Sequence, residues 1–101
     1  MRQHRYRITV EHVASARPGQ AVHEPLCFET GNHDEILGIV DRLRTRSGLP
    51  ESDAAALGIG LKLFSETLLI HRDAPLFAGL LIPMRQFIGR LKTHAKDAPA
   101  G

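Results

Sequence analysis

The chain has 101 residues, 43% of them hydrophobic and 24% charged, and its formal net charge is +2 at pH 7. A length of this order suits one domain, and the ordinary composition excludes a disordered or collagen-like chain. The small positive excess falls short of the dense field that non-specific nucleic-acid binding requires, and no run of about 18 apolar residues predicts a membrane-spanning helix.

The cysteine count and the N-terminal segment indicate the compartment. Cys27 has no second cysteine with which to form an intramolecular disulfide. The charged N-terminus leads into an alternating segment, so no secretory apolar region follows it. We therefore expect a cytoplasmic protein without a membrane partner.

Two alternating segments predict an antiparallel β-hairpin. In residues 4–13, a period of two with β-branched and aromatic residues is typical of a half-buried strand. The apolar side of this strand carries Tyr6, Ile8 and Val10. The opposite side carries Arg5, Arg7, Thr9 and Glu11. Turn residues follow within 14–20, and a second run then places Val22, Leu26 and Phe28 on one face.

Two strand registers keep these faces intact. In the first, Tyr6 faces Phe28, Arg5 faces Glu29, and Arg7 faces Cys27. A slip by two residues gives the second register with the same faces, since only odd slips exchange them. Pro25 has no amide donor, so we expect the second strand to be interrupted there.

The next segment predicts the first helix. Asn32 as N-cap, with Glu35 at the third helical position, is close to a capping box. Apolar residues then recur with helical spacing, which predicts one buried stripe of Ile36, Ile39, Val40 and Leu43. Gly48 and Pro50 end the helix.

A second helix is predicted from Ser52 to His71. Its apolar residues fill an arc of about 200°, which indicates contact on two sides. The arc consists of Ile59, Ile70, Leu63, Ala56, Phe64, Leu57, Leu68 and Leu61. Gly60 lies inside the arc, where a missing side chain would let another backbone approach. Leu69 lies in the polar arc, between Lys62, Ser65 and Glu66.

The C-terminal third predicts a short helical segment from Pro75 to Leu81 and a last helix that starts again at Pro83. The stripe of this helix consists of Met84, Phe87, Ile88, Leu91 and Ala95. We expect an α+β fold in which an antiparallel hairpin packs against three or four helices. Residues 1–96 would form a single domain, and residues 97–101 a flexible tail.

Three blocks of sequence carry a resemblance to a known family. They are residues 3–12 (QHRYRITVEH), residues 31–37 (GNHDEIL), and residues 60–64 continuing to 71–77. With its β-β-α-α-α order, the chain resembles an uncharacterised family of short bacterial proteins, a domain of unknown function. The resemblance implies a small stand-alone α+β protein and carries no activity, cofactor or substrate.

The residues give no constellation for catalysis or metal binding. The histidines lack the short or i, i+4 spacings of zinc sites; they are His4, His12, His23, His33, His71 and His94. Cys27 as a nucleophile would need a neighbouring base, although an opposite Arg7 would lower its pKa. We therefore expect no enzyme activity, no cofactor and no metal, with an inert cysteine on a half-covered sheet.

A basic patch is the alternative functional surface. It consists of Arg42, Arg44, Arg46, Arg85, Lys92 and Lys96. A solvated polar face is the ordinary explanation for such a patch, and no aromatic residues are interleaved for base stacking. We do not expect a nucleic-acid partner, but a nucleic-acid-associated accessory protein stays the alternative hypothesis.

The hairpin itself suggests the leading hypothesis. A two-stranded sheet is marginal alone, and both of its edges leave backbone groups without ladder partners. The first strand contains no proline, so we expect its edge to pair with a second copy in a symmetric dimer. The interface residues would be Arg5, Arg7, Thr9 and Glu11, with Leu69 as a docking point on the second helix. The sequence thus predicts a small protein–protein interaction module, with no identified partner.

Overall fold

The computed structural model describes the backbone of residues 3–97 and the side chains of residues 3–93. Its elements in chain order are β1 (His4–Val10), β2 (Leu26–Asn32), α1 (Ile36–Arg46), α2 (Glu51–Ile70), a 3₁₀ helix (Pro75–Phe77) and α3 (Leu81–Asp97). The predicted α+β class, with an antiparallel hairpin and three helices, is confirmed.

The chain divides into two compact units, a hairpin unit that ends at His33 and a helical unit that begins at Asp34. A single domain over residues 1–96 stays a prediction. Beyond Asp97, the predicted flexible tail lies outside the described residues. Within the part of the chain that the structure describes, no helix has both the length and the apolarity needed to cross a membrane.

The hairpin adopts the second of the two predicted registers. Ile8 pairs with Phe28 and Arg7 pairs with Glu29, so the first register, with Arg7 opposite Cys27, is wrong. The observed pairing lets one carboxylate contact two arginines, because the guanidinium of Arg5 also lies 3.8 Å from Glu29 on the diagonal. The faces are nevertheless those predicted, since a slip of two residues does not exchange them.

The strands are shorter than predicted, and their faces differ in burial. β1 ends at Val10, and β2 begins at Leu26 directly after Pro25, where the interruption was expected. On the apolar side, Tyr6 and Ile8 are half-buried, while Val10 is exposed. The burial of side chains in β1 therefore alternates in the centre of the strand but not at its C-terminal end.

Helix α1 begins three residues later than the predicted cap implies. Asn32 belongs to β2, where it pairs with His4, so it is not the N-cap. Glu35 caps the helix instead, and its Oε2 accepts a hydrogen bond of 2.9 Å from the backbone N–H of Gly38. The predicted stripe is confirmed, with its buried members being Ile36, Val40 and Leu43. The pairing of Asn32 in the hairpin thus accounts for the later N-cap at Glu35, while the buried face of α1 is the predicted one.

Helix α2 buries a face different from the predicted one. Its buried residues are Ala54, Gly58, Ser65, Glu66 and Leu68. Several members of the predicted apolar arc are exposed, including Ala56, Phe64 and Ile70, the last with 63% of its surface accessible. The helix is therefore rotated relative to the orientation that hydrophobicity alone predicts.

A close approach of two helices explains that rotation. A Cβ atom built on Gly58 would lie 3.1 Å from Val40 Cγ2 and 3.1 Å from Leu43 Cδ1, so α1 packs directly onto this glycine. Gly60, predicted as the point of approach, has no atom within 4 Å of such a Cβ. The spacing of two packed helices depends on the size of the side chains at their contact, and α2 presents Gly58 there in place of a larger apolar residue.

The C-terminal third also departs from the predicted boundaries. A 3₁₀ helix of three residues replaces the longer segment expected from Pro75 to Leu81. α3 begins at Leu81, so Pro83 lies in its first turn, where a missing amide donor costs no intrahelical hydrogen bond. Met84, Ile88 and Leu91 are half-buried as its stripe predicts, Phe87 is exposed, and the side chain of Ala95 lies outside the described residues.

Candidate binding cleft and predicted surfaces

The three helices of the helical unit surround a cleft of about 420 Å³. Its volume lies within the roughly 300–1,000 Å³ of small-molecule sites in proteins. The apolar residues that line it are Ile39, Leu43, Leu61, Ile88 and Leu91. The charged residues that line it are Asp34, Arg42, Arg46, Lys62 and Lys92.

Helical spacing explains how each helix contributes both kinds of residue. Side chains three or four positions apart share one face of a helix. α1 therefore presents Arg42 and Arg46 together, next to its apolar stripe, and α3 presents Lys92 beside Ile88. α2 contributes the adjacent pair of Leu61 and Lys62. The cleft thus has apolar walls with cations on every helix.

One of these cations is already neutralised inside the cleft. Nζ of Lys62 lies 2.9 Å from Oδ2 of Asp34. The lysine side chain is 13% exposed and the aspartate side chain 33% exposed, so the pair is sheltered. The pair links the segment before α1 to the middle of α2 across 28 positions of sequence.

The remaining cations of the cleft have no such compensation. Arg42, Arg46 and Lys92 are exposed, and among residues 3–93 they make no ion pair. With four cations and one carboxylate in the lining, the cleft carries a formal excess of positive charge. An anion with an apolar body is the chemical complement of this lining.

The predicted basic patch is therefore divided by the structure. Arg42, Arg46 and Lys92 come together at the cleft. Arg44 points elsewhere and lies 3.3 Å from Glu51 in an exposed ion pair. Arg85 is exposed but does not line the cleft, and the side chain of Lys96 lies outside the described residues.

Sequence reasoning missed Lys62, Asp34 and the apolar lining. Lys62 was assigned to a solvated polar arc of α2, and Asp34 to the dipole of α1. Nothing local in the sequence connects two residues so far apart along the chain. The i, i+4 spacing of Arg42 and Arg46 beside an apolar stripe was the one local signal that pointed to this site.

The predicted interface residues lie on the polar side of the hairpin. Nη2 of Arg7 donates to Oε2 of Glu29 at 3.1 Å in an exposed ion pair. Thr9 pairs with Cys27, and its hydroxyl donates to Sγ at 3.5 Å. Arg5 is exposed beside Glu29, and Glu11, which follows β1 directly, is exposed as well.

The other predicted docking point, Leu69, has different surroundings from those expected. It is 36% exposed, but Ser65 and Glu66 near it on α2 are buried. Leu69 is thus exposed as predicted, but two of the polar residues expected beside it at the surface are buried. The rotation of α2 by its contact at Gly58 accounts for the difference.

The structure also locates the residues with metal-binding or nucleophilic potential. Within the described residues, no three histidine, cysteine, aspartate or glutamate side chains form a group that could hold a metal ion. Cys27 is exposed on the hairpin, opposite Thr9 and not opposite Arg7. The cationic neighbour that the first register would have placed opposite this thiol is therefore replaced by a hydroxyl group.

Comparison with known proteins places the chain in a family. It is similar to the crystal structure of a protein of unknown function (eca1910) from Pectobacterium atrosepticum SCRI1043, with 29% identity, a TM-score of 0.78, and coverage of 91% of this chain and 99% of that one. No curated protein matches it. Residues 4–93 match the family model of DUF3861, a domain of unknown function with a solved structure. The predicted resemblance to an uncharacterised family is thus confirmed, and the chain belongs to DUF3861.

Proposed function

We propose that this protein is a small, non-catalytic protein–protein interaction module that forms a homodimer through the outer edge of β1. The observation that supports this is the two-stranded sheet: in the described residues β1 pairs with β2 alone. A two-stranded sheet is marginal, and an edge strand offers a row of backbone donors and acceptors to another strand. β1 contains no proline, whereas Pro25 immediately precedes β2, so β1 is the better edge for pairing.

Charge and side-chain size favour one register for this dimer. In a two-fold antiparallel pair, a centre at Arg7 would place two arginines directly opposite each other, which is unfavourable. A centre at Ile8 pairs this residue with Ile8 of the second copy and places Arg5 opposite Glu11 of the second copy. Because the operation is symmetric, this ion pair would occur twice. On the polar face of the resulting four-stranded sheet, no arginine would then lie directly opposite another arginine.

Light scattering over a concentration series tests the dimer. We expect a mass twice the 11.1 kDa of one chain at high micromolar concentration. Glu11→Arg would replace two attractions by two repulsions and weaken dimerisation by roughly tenfold, a change of about 1.4 kcal/mol.

Glu24→Arg is the matched control, because it makes the same charge change at an exposed position outside the strands. It should leave the dimerisation constant unchanged. A mass of one chain at every concentration would reject the dimer. Equal effects of the two charge reversals would reject the β1 register.

The non-catalytic character and the cytoplasmic location belong to the same proposal. They are supported by the lack, among the described residues, of a metal-binding group of histidine, cysteine or carboxylate side chains, and by the lone, exposed thiol of Cys27. Fractionation of the native host tests the location. Any turnover that Cys27→Ser abolishes would contradict the non-catalytic assignment.

A second candidate is a nucleic-acid-associated accessory protein. The observation in its favour is the convergence of Arg42, Arg46 and Lys92 on one cleft. Phosphate contacts of this kind make affinity fall steeply with salt. Against it, the cleft is partly apolar, and its lining contains no aromatic residue for base stacking. Fluorescence anisotropy of labelled single- and double-stranded oligonucleotides at two salt concentrations would distinguish the two candidates.

A further inference from the structure

We infer that the cleft among α1, α2 and α3 binds a small organic anion that carries its carboxylate or phosphate group on an apolar, acyl-like chain. This inference concerns a different surface from the β1 edge, and it holds whether or not the protein dimerises. Three features of the cleft support it: its apolar walls, its uncompensated cations, and the position of its single carboxylate.

The apolar walls provide the binding surface for the chain of the ligand. Ile39 and Leu43 line one side, Leu61 the second, and Ile88 and Leu91 the third. A fully hydrated ion would gain nothing from these walls, whereas an alkyl chain loses its contact with water along them. The enclosure by three helices therefore selects for an apolar body and against a bare inorganic anion.

The cations provide the binding site for the headgroup. Arg42 and Arg46 are one turn apart on α1 and both line the cleft. Their planar guanidinium groups match the geometry of carboxylate and phosphate oxygens and can bind them through two parallel hydrogen bonds. Lys92 on α3 adds a third positive charge, and none of the three has an ion-pair partner among residues 3–93.

The carboxylate of Asp34 sets the direction in which a ligand enters. Asp34 lies before the first turn of α1 and holds Lys62, so this end of the cleft already contains an anion. Arg46 is the last residue of α1, roughly 15 Å along the axis from Ile36. Because Lys62 neutralises Asp34, the net positive charge of the cleft lies at the Arg42–Arg46 end, and a ligand headgroup is attracted there with its chain directed between the helices.

Isothermal titration calorimetry of the full chain tests this inference with four probes. Decanoate and decyl phosphate carry both the chain and the charge, and they are used below their micellar concentrations. Decanol carries the chain alone, and inorganic phosphate carries the charge alone. We expect saturable binding of the two amphiphiles and affinities at least tenfold lower for decanol and for phosphate.

Charge-neutralising variants separate the cleft from non-specific binding of amphiphiles. Arg42→Gln and Lys92→Gln should each weaken decanoate binding by about tenfold, since hydrogen bonds between charged groups are the strong ones in such sites. Arg44→Gln is the matched control, because Arg44 is on the same helix but pairs with Glu51 away from the cleft. It should bind decanoate as the unmodified protein does. Far-UV circular dichroism of each variant verifies that its helices are intact.

Two-dimensional NMR of the labelled full chain locates the binding site. Decanoate should shift the signals of Ile39, Leu61 and Ile88, and the signals of β1 should stay in place. Equal affinity for decanol and decanoate, or equal losses in Arg42→Gln and Arg44→Gln, would overturn the inference. So would salt-dependent binding of an oligonucleotide at these residues in the absence of any binding of the amphiphiles.

Discussion

The hairpin unit and the helical unit are stabilised in different ways. All of the buried apolar residues among those described belong to the helical unit, namely Ile36, Val40, Leu43, Ala54 and Leu68. The strands instead pair through their backbones, and exposed ion pairs link them on their polar side. Burial of apolar surface contributes far more than an exposed ion pair. Substitutions in the helices should therefore change stability most, and those on the hairpin surface should change it least.

The largest change in the free energy of unfolding is expected from a buried apolar residue of the helical unit. Leu68 is 1% exposed, so Leu68→Ala should lower the free energy of unfolding by about 2–5 kcal/mol, through lost transfer energy and the cavity that remains. Leu37→Ala makes the same change at a residue that is 60% exposed, and its effect should stay within about 0.5 kcal/mol. Urea denaturation of both variants provides the measurement. Similar losses would show that burial does not distinguish the two sites.

An intermediate effect is expected from two glycines on the same helix. Gly58→Leu would insert a side chain where Val40 and Leu43 already lie 3.1 Å from the missing Cβ, and overpacking of this kind costs about 1–3 kcal/mol. A Cβ atom at Gly60 would have no atom within 4 Å, so Gly60→Leu should stabilise the protein by up to about 1 kcal/mol through helix propensity. Thermal unfolding followed by circular dichroism compares the two. A stable Gly58→Leu variant would mean that α1 and α2 are not in close contact there.

The smallest effect is expected on the hairpin surface. A double-mutant cycle of Arg7→Ala and Glu29→Ala measures the coupling of an ion pair whose side chains are 71% and 54% exposed. Water screens such pairs, so the coupling energy should be about 0.2–1 kcal/mol and should fall further in high salt. Urea titrations at low and high ionic strength give the cycle. A coupling energy above 2 kcal/mol would place this pair among the main determinants of stability and reverse the comparison.

Local patterns were sufficient to predict much of the fold. The alternation in β1 and the stripe of α1 each depend on a short run of residues, and both were confirmed around Ile8 and Val40. The faces of the hairpin were predictable where its register was not, because two registers with identical faces differ only in which charges meet. The N-cap was wrongly predicted at Asn32, because this residue extends β2 through its pairing with His4. That pairing is not visible in the local sequence around Asn32.

Helix α2 shows why hydrophobicity alone did not predict the remaining core. Counting apolar residues places Phe64 and Ile70 inside, yet both are exposed, and Phe64 instead packs edge-to-face against Phe77 at 6.5 Å between ring centroids. The face of α2 that packs against α1 is the one that carries Gly58, because a glycine lets the two helices approach closely. Residue size becomes informative only when the partner helix is known, and that information is absent from the sequence of α2 alone.

The candidate cleft was predictable in part for the same reason. Arg42 and Arg46 are four residues apart and share a helical face, a spacing that can be read from the sequence. Their association with Lys62 and Lys92 depends on how three helices pack, which no local spacing encodes. The Lys62–Asp34 ion pair could not be predicted either, because the two residues are distant in sequence. Each residue also has a sufficient local role, Asp34 at the N-terminus of α1 and Lys62 in the polar arc of α2.

The hydrogen atom that Gly58 carries in place of a side chain also affects the size of the ligand that the cleft can accept. Leu43 packs against Gly58 on one side and lines the cleft on the other, so the separation of α1 and α2 at this glycine determines how far apart two walls of the cleft stand. A methyl group at position 58 would require the side chains of Val40 and Leu43 to shift, and Leu43 is part of the cleft wall. We therefore expect the preferred chain length of a bound amphiphile to depend on a residue that never touches it.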